Sequence, residues 1–99
     1  MSKFVSSVRF KVKSGHRDEF IQRLNEFELP PGALEHTAIE TGDHTYCTFV
    51  VWRQEEDLAQ ARPGMIAFLD TVRQHLEEIS PELGVTDPVS GPVIQQIKA

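Results

Sequence analysis

The residues best suited to chemistry gather in the middle of the chain, between His36 and Arg53. An imidazole titrates near neutrality, so His36 can accept a proton from a bound phenol or donate a hydrogen bond to it. Tyr46, Phe49 and Trp52 offer aromatic walls, and Arg53 follows with a planar guanidinium. Together they suit a flat, small, anionic ligand. Each also has a plain structural reading: His36 as a buried histidine bonded to backbone or to a helix side chain, and Tyr46 and Trp52 as packing or half-exposed aromatics. Cys47, the one cysteine, reads as a small core hydrophobe and excludes an internal disulfide framework or a cysteine-based zinc site. His36 and His44 fall on opposite sides of the hairpin expected here. No His or carboxylate spacing gathers three ligands, so no metal is expected. No Ser-His-Asp or Cys-His arrangement is recognisable.

The elements that must hold these residues follow from periodicity. From Phe4 to Lys13, Val8, Phe10 and Val12 alternate with Arg9, Lys11 and Lys13, the pattern of a strand with one buried face. After Ser14-Gly15-His16, the spacing of Phe20, Ile21, Leu24 and Phe27 predicts an amphipathic helix that Pro30-Pro31-Gly32 ends. Ala33–Thr41 and Thr45–Arg53 read as a hairpin with Gly42-Asp43 as its two-residue turn. That register pairs Thr41 with His44, Ile39 with Tyr46 and His36 with Phe49. It puts His36 on one face with Leu34, Ala38, Cys47, Phe49 and Val51, and Trp52 on the other.

Acidic residues at Glu55-Glu56-Asp57 open a second helical region. Pro63-Gly64 breaks it, and Met65, Ile66, Leu69, Val72, Leu76 and Ile79 continue an apolar stripe to Ser80-Pro81. Arg73 and Glu77 have the spacing of an exposed ion pair, and His75 flanks the stripe. Val89–Ile97 is a last strand, and Pro92, which cannot donate to a ladder, places it at a sheet edge. The order is βαββαβ, an α+β ferredoxin-like arrangement with a four-stranded antiparallel sheet, strands one and three central.

Both helices of such a unit cover one sheet face, yet the third strand, Tyr46–Trp52, is apolar on both sides. An uncovered apolar face of this kind marks an interface or a ligand groove; stacking two sheets would cover it, so a homodimer paired through the sheet, closing into a dimeric α/β barrel, is expected. Ninety-nine residues suffice for one core, so a single domain over 1–99 is expected. The net charge of −5 argues against nucleic acid and acidic lipid as partners. No apolar run approaches the ~18 residues of a membrane span, and the start lacks a signal-peptide pattern. Cytoplasm is the expected location, with no membrane partner.

Two stretches resemble the antibiotic biosynthesis monooxygenase-like proteins: Val8-Arg9-Phe10-Lys11-Val12-Lys13-Ser14-Gly15-His16 followed by Phe20, and Phe49-Val50-Val51-Trp52-Arg53-Gln54-Glu55-Glu56-Asp57-Leu58-Ala59. Neither is a catalytic signature. The resemblance implies a dimeric α/β barrel acting without metal or organic cofactor on quinone-like or polyaromatic molecules. It implies a cofactor-independent monooxygenase, or a non-catalytic small-ligand-binding or stress-associated protein of the same fold. The chain departs from the family at Val50, where a Glu is common, and in Ala61-Arg62-Pro63-Gly64, where a His is common. Haem-degrading relatives use an Asn and a Trp where this chain has Ser6 or Ser7 and Ala61.

Overall fold

Alternation from Val8 onward marks β1 (Phe4–Lys11), a strand whose even-numbered side chains point to one face. The computed structural model describes residues 3–99. The remaining elements are α1 (Arg17–Leu24), β2 (Ala33–Gly42), β3 (Thr45–Trp52), α2 (Glu55–Val72), a 3-10 turn at Arg73–His75, and β4 (Thr86–Pro92). The four strands form one antiparallel sheet in the order β2-β3-β1-β4. β1 and β3 are therefore central, and β4 with Pro92 is an edge. No helix among the described residues is long and apolar enough to cross a membrane.

Four rows of side chains cross the helix-covered face, one residue from each strand. Ala33, Trp52, Phe4 and Pro92 form the first, and His36, Val50, Ser6 and Ser90 the second. Ala38, Thr48, Val8 and Pro88 follow, then Glu40, Tyr46, Phe10 and Thr86. Two buried clusters anchor the helices to opposite ends of this face. Val12, Phe20, Tyr46, Val72 and Leu76 form one; Phe4, Val50, Trp52 and Leu58 form the other.

The hairpin differs from its sequence reading by one residue. Asp43 and His44 form the loop, with Gly42 paired to Thr45, and a register shift between Glu40 and Gly42 accommodates the extra residue Thr41. His44 takes the left-handed backbone at φ 67°, a conformation the composition favours at glycine instead. A single-residue slip moves every side chain of one strand to the other face. His36 therefore lies opposite Val50, not Phe49, and shares the helix-covered face with Trp52. Leu34 lies at a second register shift, between Ala33 and Glu35.

Other boundaries also move. β1 stops at Lys11, and Val12 instead bridges Leu76. α2 runs unbroken through Pro63, because the apolar stripe on either side of it packs on the sheet, and it ends at Val72 rather than near Ile79. β4 begins at Thr86 and ends at Pro92, so Val93–Ile97 lies beyond it. Arg73 pairs with Asp70 rather than Glu77, which instead meets Lys11. Between α1 and β2, Gly32 has φ +87°, and a Cβ there would sit 2.3 Å from the Asp57 carboxyl carbon. That turn needs glycine twice over, for backbone and for space.

Candidate functional site

The two clusters leave a gap between them. A cavity of about 480 Å³ fills it, floored by the sheet and roofed by α1 and α2. Its volume falls within the range that small-molecule sites occupy. The walls are Phe20 and Leu24 from α1, Phe27 just beyond its end, and Leu58, Met65 and Phe68 among others from α2. Polar groups are few: hydroxyl residues Ser6, Ser7, Thr48, Thr86 and Ser90 from the sheet, His36 toward one side, and Arg62 from α2.

His36 is half-buried. Its ring centroid lies 4.8 Å from that of Phe27, which in turn meets Phe68 edge-on at 5.1 Å. Burial alone holds its pKa below the ordinary imidazole value, with no charged neighbour contributing. It is therefore neutral at pH 7, with a free lone pair, the state a general base requires. A second hollow of about 370 Å³ lies on its other side, lined by Arg17, Glu40 and Tyr46. Among the described residues, His36 is the one titratable side chain that lines both.

Ser6 sits two strands away in the same cross-sheet row, roughly 10 Å from His36 by strand spacing. Its hydroxyl oxygen accepts the Trp52 indole N–H at 3.0 Å. The Ser6 proton is thereby left to donate elsewhere, and the cavity is the open direction. Trp52 itself is wholly buried and fixes Ser6 from the neighbouring row of the same face.

Of the residues singled out from sequence, His36 alone lines the larger cavity. Tyr46 packs on Phe20 at 5.3 Å between ring centroids and donates its hydroxyl to Glu40 at 2.8 Å. Burial and that bond raise its phenol pKa, while Arg17 and the phenol hold the Glu40 carboxyl down. Phe49 lies on the open face of the sheet, opposite Ser7 and Thr37. Arg53 turns toward the first turn of α2, 3.4 Å from Asp57, and its backbone N–H is bonded to Gly32. Asp57 Oδ2 is buried and, among the described residues, has no hydrogen-bond partner beyond this ion pair. Cys47 also faces the open side, 3.2 Å from the Ser7 hydroxyl. His75 contacts His16, Nδ1 to Nδ1, at 2.9 Å. Ser6 and Arg62 escaped the sequence reading. Arg62 carried a signal nonetheless, a cation one turn from Leu58 and from Ile66 within an apolar stripe.

No family model matches the sequence, nor does any curated protein. Solved structures do match. SnoaB, a cofactor-independent oxygenase from Streptomyces nogalater, superimposes at a TM-score of 0.70 and 17% identity, over 100% of both chains. A candidate antibiotic biosynthesis monooxygenase from Chloroflexus aurantiacus gives 0.71 and 16%, over 98% of each chain. A dimeric ferredoxin-like protein from an uncultured marine organism gives 0.74 and 11%, over 100% of this chain and 94% of the other. At these identities the likeness is one of fold. The chain has the ferredoxin-like α+β fold of antibiotic biosynthesis monooxygenase-like proteins, the family its sequence resembles.

Proposed function

We propose that this chain is a cofactor-independent monooxygenase acting on a small aromatic or quinone-like molecule held in the cavity between sheet and helices. The carrying observation is His36, a neutral imidazole packed at a tilt against Phe27 and lining a mostly apolar cavity. A phenol or anthrone of two or three fused rings can lie along the row from His36 to Ser6. Ser6, primed by Trp52, would hold an oxygen at the far end, and His36 would take the acidic proton.

The resulting carbanion or phenolate is electron-rich enough to give one electron to dioxygen. Recombination of the two radicals forms a carbon–oxygen bond. Loss of water from the peroxide leaves one oxygen atom in the product as a carbonyl. For an anthrone the balance is R₂CH₂ + O₂ → R₂C=O + H₂O, with the substrate as sole reductant. The apolar walls keep bulk water from the anion.

The test is oxygen uptake by the purified protein with a panel of hydroquinones and anthrones. Uptake of one dioxygen per substrate is expected with at least one of them. Binding without uptake across the panel would replace this reading with that of a non-catalytic small-ligand-binding protein.

The proposed working form is a homodimer paired through the open sheet face. Val5, Phe49 and Val51 lie on that face with Ile39, 44% exposed, and Val89, 65% exposed. Two such faces stacked would bury this apolar surface, and the marine neighbour is itself described as dimeric. Sedimentation at micromolar concentration is expected to give twice the 11.2 kDa chain mass, and Phe49→Asp is expected to shift the protein to that single-chain mass. A wild-type protein that sediments only at the single-chain mass contradicts the pairing.

A further inference from the structure

We infer that Arg62 makes this cavity selective for aromatic molecules that carry a carboxylate or a comparable fixed anion. The inference rests on the cavity being the ligand site. The chain has six arginines. Arg9 pairs with Asp87, Arg17 with Glu40, Arg23 with Glu26, Arg53 with Asp57 and Arg73 with Asp70. Among the described residues Arg62 alone has no carboxylate, and it is the one cation lining the cavity.

Its position in α2 explains the isolation. One helical turn to either side stand Leu58, Met65 and Ile66, where an exposed arginine would ordinarily have a glutamate. The acidic residues of α2 are Glu55, Glu56 and Asp57 in its first turn and Asp70 near its end, and Asp70 pairs with Arg73. Arg62 thus stands in the apolar stripe that roofs the cavity, while the residue as a whole stays exposed. Its stem can cover the apolar wall and its head reach the mouth. Pro63 then matters. It has no N–H for the Ala59 carbonyl and disfavours helical backbone at Arg62 itself. The helix is least constrained where the guanidinium must turn toward a ligand.

In a chain of net charge −5, most of the surface repels anions. An unneutralised guanidinium at the mouth reverses that locally, and its planar fork fits a carboxylate through two parallel hydrogen bonds. The ligand class is then a hydroxy-aromatic acid, with the hydroxyl toward His36 and the carboxylate toward α2.

Calorimetric titration of the full-length protein with 6-hydroxy-2-naphthoate and with 2-naphthol tests this. Wild type is expected to bind the acid about tenfold more tightly, the scale of a hydrogen bond to a charged group. Arg62→Gln is expected to erase that preference by weakening the acid far more than the naphthol, and Arg62→Lys to recover part of it. The preference should shrink as salt is raised. Equal affinity in wild type, or a preference that survives in Arg62→Gln, overturns the role of Arg62 while leaving the cavity as a ligand site. If neither compound binds wild type, the reading of the cavity fails, and this inference fails with it.

Discussion

His36→Gln is expected to lower the rate of substrate oxygenation by about a hundred- to ten-thousand-fold, the usual contribution of a positioned general base. Glutamine keeps the polar contact and much of the volume but cannot take a proton. Binding of the aromatic substrate should persist, so the loss falls on kcat rather than KM. Because His36 is half-buried between two hollows, the substitution leaves little new cavity and should barely move the unfolding midpoint at neutral pH. A variant of unchanged rate would remove His36 as the base.

The same residue sets a pH dependence of definite sign. Burial lowers the folded-state pKa of His36 below its ordinary value. Well above the ordinary value of about 6.5 the imidazole is neutral in both folded and unfolded chains and contributes nothing to the slope. As the pH falls below that value the unfolded chain takes up a proton first, so stability declines until the folded-state pKa is passed. Denaturant unfolding should show this decline in wild type and a shallower one in His36→Gln. Oxygenation, in turn, should hold its plateau to a lower pH than an ordinary histidine base would allow.

Trp52→Ala is expected to destabilise the fold by about 3–5 kcal/mol, the range for deleting a large buried aromatic. Trp52 has no exposed surface and packs with Phe4, Val50 and Leu58 at the end of the sheet where α2 begins. Its loss also strands the Ser6 hydroxyl, which accepts the indole N–H. Against a total of roughly 5–15 kcal/mol for a small domain, that is a large share, and urea unfolding followed by circular dichroism should show it. Trp52→Phe should keep most of the stability yet weaken ligand binding, because Ser6 is then free to turn away from the cavity. A loss under about 1 kcal/mol in the alanine variant would contradict the central place given to this side chain.

The order of elements and the centre of the sheet were legible because each depends on a strong local signal. Alternation marks β1, the i, i+4 spacing marks α1, and Pro92 cannot sit inside a sheet. The hairpin register was not, because it turns on one residue. Gly42 and Asp43 have the composition of the turn, whereas the chain puts His44 in the left-handed region and absorbs Thr41 in a bulge. That slip separates His36 from Trp52 in the sequence reading, while the fold sets both on one face. Pro63 was similarly misleading. Its missing N–H predicts a break, but Leu58, Met65 and Leu69 pack on both sides of it, and tertiary contact outweighs the local defect. Of the site, His36 was legible from its type and place in an apolar strand. Ser6 was not, because its role comes from a partner 46 residues away. The aromatic residues that wall the cavity, Phe20, Phe27 and Phe68, look in sequence like any helix core.

Nuclear magnetic resonance of the labelled full-length protein, titrated with 2-naphthol, tests most directly whether this cavity is the functional site. The largest shift changes are expected at the His36 side chain, Phe27, Phe68 and Ser6, with the two ring nitrogens of His36 responding as its hydrogen bonding changes. Changes confined to Cys47, Phe49 and Val51 on the open face, or no change at saturating ligand, would contradict the assignment.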